Sequence, residues 1–302
     1  MTAAVLVEGL RKSYGAVAAV RDVSFEVAPG QVFALLGPNG AGKTTTVEIL
    51  EGFGRRDAGR VEVLGFDPAQ HSTERQLRER MGIVLQELAV EPFLTVREVL
   101  TRNAGYYPRS RPVEEVIGLV GLEEKADQRV KRLSGGQQRR LDLGLGIIGE
   151  PELIFMDEPT TGFDPSARRG AWDLVRNLTR GGATVILTTH YMDEAEALAD
   201  HVAVISEGTI VASGPPDTLG GRDVGEVTIR FRLPPGVALV DLPLAPTTVE
   251  EDRVEIHAAD EVRALHALTG WALDHGGALP GLSVQRITLE DVYLRLTAKP
   301  GT

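Results

Sequence analysis

Leu35-Leu36-Gly37-Pro38-Asn39-Gly40-Ala41-Gly42-Lys43-Thr44-Thr45 closes a short apolar run and opens a helical one. The run 31–36 is continuous rather than alternating, which predicts a strand buried on both faces, as in a parallel sheet. From about Lys43 to Glu51 the pattern turns helical. Between the two, the spacing G-x-x-x-x-G-K-T is that of a phosphate-cradling loop. Its glycines let backbone N–H groups curl inward round phosphate oxygens, the helix N-terminus adds positive potential, and Lys43 offers an ammonium to the outer phosphates. Gly37, Pro38, Asn39, Gly40, Ala41, Gly42, Lys43, Thr44 and Thr45 are the candidate phosphate-binding residues, and the Thr44 hydroxyl is a candidate Mg²⁺ ligand. A plain Gly-rich turn is the alternative, and the strand before and helix after it argue against that.

Outward from this loop, short apolar runs recur at 5–7, 24–27, 82–85, 153–156, 184–188 and 202–206, separated by segments long enough for crossover helices. The fold class is α/β with a largely parallel sheet. Between Pro92 and Arg132 the strand signal stops, and the amphipathic stretches 95–103 and 113–120 predict a helical insertion at about 93–132. The stretch SGPPDTLGG (213–221) reads as a boundary, dividing the chain into domains at 1–218 and 219–302. Beyond it, Val227, Ile229 and Phe231 alternate with polar residues, as do Val254 and Ile256, while Leu289, Val292, Tyr293 and Leu296 follow helical spacing. Thr288 and Asp291 stand where reciprocal caps of that last helix belong, and the tail predicts a small α/β module.

At 302 residues there is room for about two domains. With 32 basic and 43 acidic side chains the net charge is -11, which disfavours a general nucleic-acid surface. Cysteine is absent, so disulfides, thiolate metal sites and cysteine nucleophiles are excluded. The longest uncharged stretch, 28–42, is broken by Pro29, Gly30, Pro38, Asn39 and Gly40, so no direct membrane span is expected; Glu8, Arg11 and Lys12 interrupt any signal-peptide core. No zinc-ligand spacing links His71, His201 and the other histidines.

Two further segments carry chemistry. Leu153-Ile154-Phe155-Met156-Asp157-Glu158 puts two carboxylates at the end of an apolar strand, where open parallel sheets bind ligands. Asp157 is a candidate for the Mg²⁺ shell and Glu158 for polarising an attacking water, because phosphoryl transfer asks a protein mainly to position and neutralise. A solvated acidic turn is the plainer alternative. Leu133-Ser134-Gly135-Gly136-Gln137, ahead of a helical run 138–148, offers backbone N–H groups and a hydroxyl at a helix start, a second phosphate-seeking surface. Taken alone it also reads as an N-cap with a permissive glycine pair.

In their order along the chain, 37–44, 133–137 and 153–158, the three segments resemble the ATP-binding subunit of ABC transporters, over residues 3–218. The resemblance implies a P-loop NTPase nucleotide-binding domain with a helical subdomain, ATP and Mg²⁺ as cofactors, and ATP hydrolysis. It also implies an adenine platform at Tyr14, a Gln86 at the helical-subdomain joint serving catalysis and metal, a loop 161–164 whose Asp164 touches the opposite subunit, and a γ-phosphate-sensing His190. Isolated, Tyr14 reads as a surface aromatic, Gln86 and Asp164 as loop polars and His190 as a solvated strand-end residue. Two copies are expected to close head to tail, each ATP held by the P-loop of one and the Ser134-Gly135-Gly136-Gln137 surface of the other. The implied partners are separately encoded membrane permease subunits, which would seat the chain at the cytoplasmic face of the membrane. Phe163 and the ending LEDVYLRLT (289–297) look like the ATPases of daunorubicin-type drug-resistance exporters, which implies ABC-2 type export. An importer ATPase shares the same engine. A soluble ATPase of this kind acting on ribosomes or DNA calls for two cassettes in one chain or coiled-coil arms, and the sequence contains neither; a non-catalytic clamp is at odds with Lys43, Asp157, Glu158 and His190 all being present.

Overall fold

The computed structural model describes residues 3–84, 90–222, 227–234, 237–275 and 278–297. The chain divides between Pro216 and Asp217 into two compact units. In the first, the strands are β1 (Val5–Tyr14), β2 (Val17–Val27), β3 (Val32–Leu36), β4 (Ala58–Val63), β5 (Met81–Val84), β6 (Leu153–Asp157), β7 (Thr184–Thr188), β8 (His201–Ser206) and β9 (Thr209–Gly214). Its helices are α1 (Lys43–Leu50), α2 (Glu74–Arg78), α3 (Val96–Ala104), α4 (Val113–Leu119), α5 (Gly135–Ile147), α6 (Pro165–Arg180) and α7 (Met192–Leu198).

The nine strands form one sheet in the order β4-β1-β2-β9-β8-β3-β7-β6-β5. The expectation of a largely parallel sheet holds for β8-β3-β7-β6-β5 and for the β2–β9 pair, but β4–β1, β1–β2 and β8–β9 are antiparallel. The cause is connection length. β1 and β2, and β8 and β9, are joined by two-residue turns containing Gly15 at φ +59°, and Glu207 and Gly208 at φ +47° and +78°. Such turns can return the chain only alongside itself, whereas parallel neighbours need a crossover. β1 also runs past the expected 5–7, because its polar end, Arg11-Lys12-Ser13, lies in an antiparallel ribbon with one solvated face. β4 and β9 have only scattered apolar residues and carried no strand signal in the sequence.

Register fixes what meets at the sheet edge. Leu35 of β3 pairs with Thr188 of β7, and Thr188 pairs with Asp157 of β6. The three residues stand level across parallel strands, so the loop from Gly37, the turn at Glu158 and the turn at His190 all leave the same C-terminal edge. Beneath them Phe33, Leu35, Phe155 and Ile186 pack with Ile49 and Leu50 of α1 in one apolar core. Each such fully buried side chain contributes about 1.5–3 kcal/mol.

The predicted helical insertion holds α3 and α4. Thr95 caps α3 through a full capping box with Glu98. α5 begins at Gly135 rather than at the expected 138, because Ser134 and Gln137 cap one another: the Gln137 amide donates to Ser134 Oγ at 3.3 Å and the Ser134 amide to Gln137 Oε1 at 2.9 Å. The glycine pair therefore sits inside the first turn. α5 lies hard against β5, where a Cβ on Gly82 would meet the Gly146 carbonyl oxygen at 1.9 Å.

The second unit is a four-stranded antiparallel sheet, ordered β11 (Thr248–Glu250), β12 (Arg253–Ala258), β10 (Val227–Arg232) and β13 (Ser283–Arg286), with α8 (Glu261–Asp274) and α9 (Leu289–Thr297). Val227, Ile229, Phe231, Val254 and Ile256 bury one sheet face against Ala264 and Leu268 of α8. Thr288 and Asp291 make the reciprocal cap that the sequence predicted, with the Asp291 amide donating to Thr288 Oγ1 at 3.1 Å and the Thr288 amide to Asp291 Oδ2 at 2.9 Å.

Candidate functional site

The loop after β3 is shaped by contacts that exclude side chains. A Cβ on Gly37 would lie 2.3 Å from the Ile205 carbonyl oxygen, and one on Gly42, where φ is +106°, would lie 2.5 Å from that of Ala19. Gly42 is the N-cap of α1 and supplies no side-chain cap. The first amides of α1 have no acceptor within the helix, so they are available to an anion. Pro38, Asn39, Gly40 and Thr44 are exposed and Thr45 half-buried; Ala41, buried, turns the loop by donating its amide to the Pro38 carbonyl at 3.1 Å. Lys43 Nζ donates to the Gly37 and Pro38 carbonyls at 2.6 and 3.2 Å, which holds the ammonium over the loop. Burial lowers the Lys43 pKa, and the Glu158 and Asp157 carboxylates oppose that shift. The electrostatics thus bring Lys43 together with the two strand-end acids.

Asp157 ends β6, and the Thr188 hydroxyl donates to its Oδ1 in a short hydrogen bond. Glu158 follows at φ +47°, a left-handed conformation that costs a non-glycine residue about 1–2 kcal/mol. The conformation is held by the Glu158 amide donating to the Thr188 carbonyl at 3.0 Å. It aims the carboxylate at two partners, with Oε1 3.1 Å from His190 Nδ1 and Oε2 accepting from Thr161 Oγ1 at 3.2 Å. His190 is exposed and lies two residues past Thr188. A carboxylate thus stands at the end of β6 beside an imidazole that faces solvent, and a carboxylate so placed can accept a proton from water.

Three residues that sequence reasoning missed hold this turn. Arg139 of α5, 8% exposed, donates to the Asp157 and Glu158 carbonyls, the latter at 2.8 Å, and to the Pro159 carbonyl at 3.2 Å; it also pairs with Asp142 at 3.0 Å. Thr188 orients Asp157 as described. Glu194 of α7, fully buried, accepts from Thr160 Oγ1 at 2.8 Å and Trp172 Nε1 at 3.2 Å. In the sequence Gln137-Gln138-Arg139-Arg140 reads as a polar helix face, and only the i, i+3 spacing of Arg139 to Asp142 hinted at a paired charge.

Ser134 and Gly135 are exposed at the start of α5. Among the described residues, a Cβ on Gly135 or Gly136 would meet nothing within 4 Å, so no contact with them requires glycine there. Ser134 and Gly136 front a groove of about 770 Å³ that Gln137, Arg140, Lys125 and Asp164 also line. Asp164 caps α6 in its own chain, with Oδ1 accepting from the Ser166 and Ala167 amides at 2.8 and 2.9 Å, and those amides hold its carboxyl below the usual carboxylate range. Phe163 is buried beside it.

Tyr14 is 52% exposed at the end of β1, with Lys12 Nζ 5.2 Å from its ring centroid. It pairs with Val17 across the β1–β2 turn, and Ala19, two residues further, is the residue whose carbonyl abuts Gly42. Gln86 lies outside the described residues. Among the described residues no group of three or more His, Asp or Glu is arranged to hold a metal by itself. Thr44 and Asp157 are hard oxygen donors of the kind that take Mg²⁺ together with phosphate oxygens.

A family profile described as ABC transporter matches residues 20–161, and one described as ABC transporter domain-containing protein-like, C-terminal domain, matches 227–288. The daunorubicin resistance ATP-binding protein DrrA3 of Streptomyces coeruleorubidus is 38% identical, covering 97% of this chain and 96% of its own. The Nod factor export ATP-binding protein I of Paraburkholderia xenovorans (strain LB400) is 40% identical over 98% of each chain. Among solved structures, the ATP binding subunit of an ABC transporter matches with a TM-score of 0.66 at 27% identity, covering 72% of this chain and 91% of that one. cbiO1 from Clostridium perfringens, part of the ABC transporter complex cbiONQ, matches with a TM-score of 0.64 at 27% identity, covering 72% and 90%.

Proposed function

This chain belongs to the ATP-binding proteins of ABC transporters, and from that membership we propose how its site works. It is an ATPase, the energy-supplying subunit of an exporter that works with membrane components; no helix of the described residues is long and apolar enough to cross a membrane. Two relatives of like similarity are named for daunorubicin resistance and for Nod factor export, which supports a shared engine whose cargo is chosen by the membrane partners. Those partners are separately encoded permease subunits that hold the chain at the cytoplasmic face.

Two copies close head to tail on ATP. In each, the amides of Gly40, Gly42, Lys43, Thr44 and Thr45 receive the phosphates, Lys43 leaves the Gly37 and Pro38 carbonyls for the outer phosphates, and Tyr14 stacks on the adenine. Thr44 and Asp157, with Gln86, would hold Mg²⁺, which when bound draws charge from the phosphate oxygens. Glu158 accepts a proton from the attacking water, and His190, hydrogen-bonded to Glu158 Oε1, donates towards the transferring phosphate. The Ser134 hydroxyl and the Gly135 and Gly136 amides of the opposite copy close the site, with Asp164 of the 161–164 loop beside them. The observation that carries this reading is the open first turn of α5: glycines that nothing among the described residues requires fit a surface approached closely from outside. Cleavage removes the contacts that favour closure, and the pair reopens.

Glu158→Gln tests it. The variant is expected to bind Mg·ATP like the unaltered chain, to lose turnover by about a hundredfold or more, and to accumulate an ATP-dependent dimer in size-exclusion chromatography. Normal hydrolysis by that variant would remove Glu158 from its role, and absence of an ATP-dependent dimer would remove the head-to-tail closure.

A further inference from the structure

Arg139 links two surfaces that the proposed dimer assigns to two different nucleotides. It lies five residues after Ser134 on α5, roughly 7–8 Å along the helix axis. Its guanidinium is buried, and a buried cation is tolerated only when its donors are matched. Here they are spent on three consecutive carbonyls, those of Asp157, Glu158 and Pro159. No other side chain described in this site engages the backbone of that turn so extensively.

The remaining arm of the fork matters most. Asp142, which takes Arg139 Nη1 at 3.0 Å, is on the same helix three residues on, and is itself buried. The guanidinium is thereby tied to α5 both through its own stem and through Asp142. At the far end it grips a residue held in a left-handed conformation, Glu158 at φ +47°, so a small displacement of the carbonyls re-aims the carboxylate towards or away from His190 and Thr161. The Asp157 carboxylate is anchored separately by Thr188, and Thr160 by Glu194, so Arg139 grips the backbone of a turn whose flanking side chains are held by other elements.

We propose that Arg139 is a positioning residue that transmits closure of the Ser134 surface on the partner's nucleotide to Asp157 and Glu158 at the nucleotide of its own copy, making hydrolysis at the two sites interdependent. The inference rests on the head-to-tail reading above. Arginine is required because lysine has no planar fork to span adjacent carbonyls while also meeting Asp142.

The test compares steady-state ATPase curves of the unaltered chain, Arg139→Lys and Asp142→Asn, together with melting temperatures. Arg139→Lys is expected to lose about tenfold or more in kcat with the ATP KM within about twofold, and its Hill coefficient is expected to fall towards one. Its melting temperature is expected to stay within a few degrees. Asp142→Asn moves the same quantities in the same direction by less, and it decides the matter if Arg139→Lys does not fold. A folded variant with unchanged kcat and Hill coefficient overturns the proposal, as does a loss of kcat that merely follows the melting temperature. An ATP-dependent dimer of the Glu158→Gln chain, which must persist when Arg139→Lys is added, separates the two failures. If the Glu158→Gln dimer forms and Arg139→Lys keeps full cooperative turnover, this inference alone falls; if that dimer never forms, the head-to-tail reading and this inference fall together.

Discussion

Glu51 follows α1 with 7% of its surface exposed, and burial, ahead of the nearby Asp157 and Glu48 charges, pushes its carboxyl pKa up to about 8 from an ordinary 4.5. A raised carboxyl pKa means that the folded chain holds a proton which the unfolded chain releases. Stability therefore falls as pH rises from about 4.5 to 8, and the penalty is complete above the folded value. Glu51→Gln removes the ionisable group, so in metal- and nucleotide-free buffer its melting temperature is expected to exceed that of the unaltered chain at pH 8.5 and to match it near pH 4.5. The stabilisation at the upper end is roughly 2–4 kcal/mol. A difference that stays flat across this range would show that Glu51 is hydrated and titrates normally. Glu51 illustrates why a buried acid escapes sequence reading. Lys43, Asp157 and Glu158 announce themselves by their offsets from glycines and an apolar strand, whereas a lone Glu at a helix end looks like any solvated acid. Arg139 and Thr188 are hidden for the same reason: their roles come from carbonyls and a carboxylate that fold in from distant parts of the chain.

α5 joins the Ser134 surface to the sheet, and its position depends on one close approach. A Cβ on Gly82 would stand 1.9 Å from the Gly146 carbonyl oxygen, and one on Gly146 would stand 2.5 Å from Val84 Cγ2. Backbone cannot yield as a side-chain tip does, so Gly82→Ala is expected to cost about 1–3 kcal/mol or more and to lower the urea midpoint. Gly170→Ala on α6, where an added Cβ meets nothing within 4 Å, is the contrast: removing glycine from a helix interior there should be neutral or stabilising by about 0.5–1 kcal/mol. Equal midpoints for Gly82→Ala and the unaltered chain would mean that α5 does not rest on β5. The caps of this helix were half legible. Ser134 was visible as an N-cap, but the reciprocal bond from Gln137 drew two glycines into the first turn, where propensity alone would have left them outside.

Each of the two units carries its own apolar core, one round Phe33, Leu35 and Phe155, the other round Ile229, Phe231 and Leu268. A chain ending at Pro216 is therefore expected to unfold in one cooperative step. It should also gain the same rise in melting temperature from Mg·ATP as the full chain, about 2.7 kcal/mol of stabilisation at a nucleotide concentration a hundredfold above Kd. Failure of the shortened chain to respond to Mg·ATP would show that Asp217 onward completes the nucleotide site. The phosphate loop, the acidic strand end, the Ser134 cap and the separate helices of the insertion could all be read along the chain, because each is made by residues close together in sequence, through turn geometry and hydrophobic period. The antiparallel flank, the level row Leu35-Thr188-Asp157 and the burial of Arg139 could not. They depend on which strands lie side by side and how they are aligned, and that is settled by packing between segments far apart in the chain, such as Leu35 and Thr188, about which local pattern carries no information.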